Sequence, residues 1–89
     1  MDGLGQHWRT FFESWPGSVP RAGIVMAFGE GIPFTDFMIG DGVLLLQRER
    51  PDSSGARKVV VAFDRIEGVK TLDTLELQRY QAFGFAPPA

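Results

Sequence analysis

Cysteine and asparagine are absent from this chain of 89 residues, and histidine occurs once, as His7. Without cysteine there is no disulfide, no thiolate metal site and no cysteine nucleophile. Without asparagine there is no N-glycosylation acceptor. A Ser-His-Asp triad would have to draw its imidazole from the chain start, and no Gly-x-Ser-x-Gly elbow is present to receive it. Zinc sites draw on several His or Cys ligands, so no metal is expected. No phosphate loop of the Gly-x4-Gly-Lys-Ser/Thr type occurs, and Gly29-Glu30-Gly31-Ile32-Pro33-Phe34 lacks the third glycine of a dinucleotide fingerprint. The chemistry on offer predicts a protein that is not an enzyme and takes no cofactor. No apolar run approaches the ~18 residues of a membrane span. Met1-Asp2-Gly3-Leu4-Gly5 has no basic stretch before an apolar one, and Asp2 stands where a myristoylated chain has glycine. The expectation is a cytoplasmic protein. Nine basic and eleven acidic side chains leave a net charge of −2, which argues against a general coat for nucleic acid.

What is present reads as one domain over residues 1–89, with a helix at about 4–15, a β-rich body at 21–72 and a C-terminal arm at 73–89. Trp8, Phe11, Phe12 and Trp15 follow the i, i+3, i+4, i+7 spacing of one helical face. Pro16-Gly17 ends the helix, and its aromatic stripe predicts a lid over the core. Five strands follow: Gly23–Phe28, Ile32–Ile39, Val43–Arg48, Arg57–Phe63 and Ile66–Leu72. Gly29-Glu30-Gly31 and Gly40-Asp41-Gly42 mark turns, and Pro51–Gly55 marks a polar loop. Leu75, Leu77, Tyr80 and Phe83 would let the arm cover an edge as a short helix or an extended strap.

One helix and five short strands with tight turns predict a mainly β fold, a small, strongly bent antiparallel barrel. An open five-stranded barrel leaves N–H and C=O groups unpaired at its edges, which must be covered or paired with another chain. Ile24–Phe28 carries no charge to guard it. The expected partner is therefore a second copy, in a homo-oligomer joined by strand-edge pairing.

The order and lengths of these elements, from Trp8 to Leu72, resemble those of the Sm-like proteins. The resemblance implies a five-stranded SH3-like small barrel that assembles into a homo-oligomeric ring through strand pairing. The family's first motif sets an aspartate and then an asparagine in a turn that contacts uridine, and Gly40-Asp41-Gly42 is the matching turn. Its second motif carries Arg-Gly at the fourth-strand corner, where this chain has Val61-Ala62-Phe63-Asp64-Arg65-Ile66. Asp41 and Asp64 are the residues that the resemblance carries over as nucleic-acid or ligand contacts. The stretch Val59–Val69 is also similar to the end of a PRC-barrel interaction domain, with Ala62-Phe63 where that family writes Val-Pro.

Two further candidates come from the residues themselves. Asp36 lies in an otherwise apolar strand, between Phe34 and Met38. On a buried face it would need a partner or a shifted pKa. Otherwise the strand bends there, or Asp36 caps a loop or pairs with an arginine across an interface. Arg48, Arg50, Arg57 and Lys58 bracket the polar loop with Glu49 and Asp52 among them, a local charge of +2. Repeated around a ring, this cluster would hold phosphates of single-stranded RNA, with binding that weakens as salt rises.

Overall fold

A computed structural model describes residues 5–88, so the expectations that touch residues 1–4 and 89 lie outside it. Helix α1 spans Gln6–Glu13. The sequence predicts a helix reaching residue 15, but the chain leaves it two residues earlier. Pro16 disfavours helical geometry at the residue before it, and the Ser14 hydroxyl donates to the Thr10 carbonyl at 2.8 Å. Trp15 still faces the core from outside the helix. Its indole N–H is shared between the carbonyls of Val19 and Pro20, at 3.2 Å each.

Six strands follow: β1 (Gly23–Ala27), β2 (Glu30–Phe34), β3 (Asp36–Ile39), β4 (Val43–Gln47), β5 (Lys58–Ala62) and β6 (Gly68–Thr71). They form two antiparallel three-stranded sheets, ordered β2-β1-β6 and β3-β4-β5. The expected five-stranded Sm-like, SH3-like barrel is thereby corrected, because the described residues form two separate sheets and no closed barrel. The stretch expected as one strand, Ile32–Ile39, is broken at Thr35 into a strand of each sheet. The reason is visible in burial. Ile32 and Phe34 point inward, and so does Phe37, three positions after Phe34. Strict alternation cannot bury both phenylalanines, so the chain slips by one residue between them. Thr35 makes the turn, its N–H bonded to the Gln47 carbonyl at 2.8 Å in the second sheet.

Both sheets bury one face in a common core of Val25, Ala27, Ile32, Phe34, Phe37, Leu44, Leu46, Val61, Phe63 and Ile66. Phe12 descends from α1 into its middle and is 1% exposed. Its ring lies 5.1 Å from Phe37, 6.4 Å from Phe63 and 6.5 Å from Phe34. A 3₁₀ turn (Phe63–Arg65) carries the chain from β5 to β6, and a 3₁₀ helix (Leu77–Phe83) forms the arm. The arm returns to α1, where Phe83 is buried against Phe11 and Trp15.

The β1–β2 hairpin carries a cost in its turn. Phe28 and Gly29 have φ of 58° and 72°, the left-handed pair of a two-residue type I′ turn. Glycine adopts this freely, whereas a bulky L-residue pays about 1–2 kcal/mol. Phe28 recovers little by packing, since it is 64% exposed. Phe28→Gly is expected to stabilise the fold by about 1 kcal/mol, seen as a higher urea midpoint at unchanged slope.

Candidate functional site

The four basic residues come together at one end of the β4–β5 hairpin. The ladder pairs Gln47 with Lys58, and Arg48 N–H continues it to the Arg57 carbonyl at 2.9 Å. The Arg48 guanidinium turns along the loop and donates to the Arg50 carbonyl at 3.0 Å. Arg50, Arg57 and Lys58 are exposed. Among the described residues the ion pairs are Arg9–Glu13 and Arg21–Asp36, so none engages this cluster. Asp52 has another task. Its carboxylate accepts the N–H of Ser54 at 2.8 Å and of Ala56 at 2.9 Å. These bonds, Ala56 first, hold its carboxyl below the usual carboxylate range, with Arg48 adding to the effect. The loop acid is thus a backbone brace. Sequence reasoning counts Asp52 only as an acid among the basic residues; the Asp-Ser-Ser spacing is the signal that could have shown this role, since Asp bonds the backbone two residues on.

Asp41 and Asp64 line the same open cleft of about 500 Å³, beside Gly5, Gln6, Arg9 and Gly42. The Phe63 N–H donates to the Gly42 carbonyl at 3.0 Å and ties the two corners together. Arg9 reaches across from α1 and donates to the Gly40 carbonyl at 2.9 Å, while its Nε pairs with Glu13 at 3.0 Å. Gly5 permits the close approach of α1. A Cβ there would stand 2.8 Å from both the Asp64 nitrogen and Phe63 Cβ. Sequence reasoning missed Gly5 and Arg9, because neither contact leaves a local pattern. The cleft offers the Asp41 and Asp64 carboxylates as acceptors and the Gln6 and Arg9 side chains as donors. Among the described residues no three His, Cys, Asp or Glu side chains gather to hold a metal ion. His7 is exposed on α1, its ring 5.7 Å from Trp8.

Asp36 lies on the outer face of the second sheet, and the slip at Thr35 is what sets it there. Its carboxylate pairs with Arg21 Nε at 3.0 Å and accepts the Phe37 N–H at 2.8 Å. The side chain is about half exposed. The Arg21 guanidinium also sits over the Phe37 ring, 5.6 Å from its centre. Asp36 therefore braces the strand entry. The Asp41–Asp64 cleft stands apart, whereas Asp36 and Lys58 of the basic loop end line one small pocket, on either side of Gln47 in the ladder.

Two more titratable groups meet at the root of the arm. The Tyr80 phenol bonds to the Asp73 carboxylate and lies 2.6 Å from the Thr71 hydroxyl. Its bond to Tyr80 holds the Asp73 carboxyl below its ordinary value. Burial, and then the bond to Asp73, push the Tyr80 phenol up. The two signs define a window. Asp73 contributes to stability above its unfolded pKa and loses that contribution as pH falls through its lowered folded pKa. Tyr80 contributes below its unfolded pKa and loses it as pH rises through its raised folded pKa. Tyr80 is the sole tyrosine, so tyrosinate absorbance reports it alone. The midpoint is expected above the ordinary phenol value of about 10, and Asp73→Ala is expected to lower it. A wild-type midpoint at the ordinary value would show the latch unformed.

No family model, curated protein or solved structure matches the chain. Among the described residues, no helix is long and apolar enough to cross a membrane.

Proposed function

We propose that this protein is a non-catalytic assembly module that associates with copies of itself through strand edges. One observation carries the reading: among the described residues, β2, β3, β5 and β6 each have a single neighbour, and β5 and β6 are edges of different sheets. Pairing β5 of one copy with β6 of the next is a head-to-tail contact, which repeats and closes into a ring if the rotation allows. β5 suits the role. Its core is Val59-Val60-Val61-Ala62, with Lys58 as its only charge, and Val60 is 58% exposed. Met38 and Leu45 lie in register with Val60 and extend an apolar row across the outer face of the sheet. An edge of this kind is a liability in a monomer.

Native mass measurement tests the reading. The wild type is expected as one defined oligomer at micromolar concentration, and Val60→Lys, which places a charge on the exposed edge without touching the core, is expected to reduce it to the 9.9 kDa chain. A wild-type protein that is monomeric under these conditions overturns the reading. The unpaired basic cluster supports a second reading, in which the assembled module binds single-stranded RNA. In the same measurement, an added short uridine-rich RNA would bind at low salt and be lost in Arg57→Ala/Lys58→Ala. No RNA mass at low salt removes that reading and leaves assembly standing.

A further inference from the structure

The C-terminal arm meets the rest of the molecule through one buried side chain, Phe83, with the Tyr80 latch to Thr71 and the Phe85 ring against Phe11 beside it. Phe83 lies between two rings. It stacks on Phe11 at 4.8 Å with 11° between the planes, and on Tyr80 at 5.2 Å with 16°. Trp15 meets its edge at 5.0 Å. Elsewhere the arm is largely exposed, Leu77 at 85% and Phe85 at 56%, although the Phe85 ring lies 6.2 Å from Phe11. Its helix is a seven-residue 3₁₀ segment, longer than the three or four residues that this geometry usually sustains. Residues 72–76, which connect it to β6, have no regular structure. The chain therefore carries both a short aromatic ligand and the cradle that receives it, joined by a tether with few contacts of its own. Segments with few buried apolar contacts open at low free-energy cost.

We infer that the arm is exchangeable: the Phe11–Trp15 cradle of one copy accepts the Tyr80–Phe83 stack of a second copy, with residues 72–76 as the hinge. The contact in trans is the contact already present in cis, so no new complementarity is required. Tethering gives the chain's own arm an effective concentration of about millimolar. The cis arm therefore holds the cradle in dilute solution, and exchange grows with protein concentration. The inference rests on the assembly reading in taking a second copy as the partner. It uses a surface separate from β5, and its test reads peptide binding, whereas the edge is tested by mass.

The test uses a synthetic peptide of residues 73–88 and the full-length chain, followed by the fluorescence of Trp8 and Trp15. The peptide is expected to bind Phe83→Ala protein with one-to-one stoichiometry. Binding to wild type is expected to be weaker by about tenfold or more, because the tethered arm competes. A peptide carrying Phe83→Ala is expected not to bind. Tyr80→Phe protein provides a second arm of the test. It keeps the cradle and loses only the latch to Asp73 and Thr71, so it is expected to bind with intermediate affinity. Peptide binding to Phe83→Ala protein that exceeds binding to wild type supports exchange. No binding to both variants, or equal affinity for wild type and Phe83→Ala, overturns it.

Discussion

Replacing Phe12 with alanine is expected to remove about 4 kcal/mol of stability, the range for deleting a fully buried phenylalanine. Phe12 is 1% exposed and is the point where the helix and both sheets meet. Its neighbours are other large rings: Phe11 at 5.3 Å, Trp15 at 5.7 Å, Phe37 at 5.1 Å. Rings of this size, anchored on separate elements, cannot all slide into the vacated space, so most of the cavity persists. A domain of this length holds roughly 4–13 kcal/mol in total. The variant is therefore expected to unfold near physiological temperature and to lose the near-ultraviolet signal of Trp15. Phe12→Leu keeps most of the volume and is expected to cost about 1–2 kcal/mol. Equal losses for Leu and Ala would show that the ring's edge contacts, rather than its volume, carry the effect.

Gly23→Ala is the second large effect, about 3 kcal/mol at the upper end for overpacking. Gly23 opens β1, the central strand of its sheet, paired with Phe34 on one side and Thr71 on the other. A Cβ at this position would stand 2.4 Å from the Lys70 carbonyl oxygen and 3.3 Å from two atoms of the Phe34 ring. The first of these is backbone and cannot rotate away. Relief requires β6 to part from β1, with loss of ladder bonds. Gly17 supplies the control, because nothing lies within 4 Å of a Cβ built there. Thermal unfolding is expected to fall by about 12–24 °C for Gly23→Ala and to stay nearly unchanged for Gly17→Ala. Equal melting of the two variants would mean that the β1–β6 spacing adjusts freely.

The parts of this fold that were legible in the sequence are those governed by local periodicity. The aromatic spacing from Trp8 to Trp15 located α1, and Gly40-Asp41-Gly42 located the β3–β4 turn, whereas the turn expected at Gly29-Glu30-Gly31 lies at Phe28–Gly29, with Glu30 and Gly31 already in β2. The break at Thr35 was not legible. A period-two pattern read from Ile32 to Ile39 has no means of registering a one-residue slip, and it placed Asp36 with Phe34 on one face. Burial of Phe34 and Phe37 together depends on α1 and the second sheet, which a local window does not contain. The same limit applies to the candidate sites. The basic loop end was legible because its four cations lie close in sequence. The Asp41–Asp64 cleft was reached through turn positions in a resemblance, while the roles of Gly5 and Arg9 in it depend on contacts between distant parts of the chain.

The meeting of Phe83 with Phe11 joins almost the first described element to the last one. A chain made from its N-terminus presents α1 long before the arm exists, so the sides of Phe11 and Trp15 that meet Phe83 stay uncovered while the sheets form. Closing so long a loop comes late and slows completion of the fold. The interval in which the Phe83 side of Phe11 and Trp15 lies open is therefore a property of synthesis and refolding, and it is the period when one chain's cradle is open to another chain's arm.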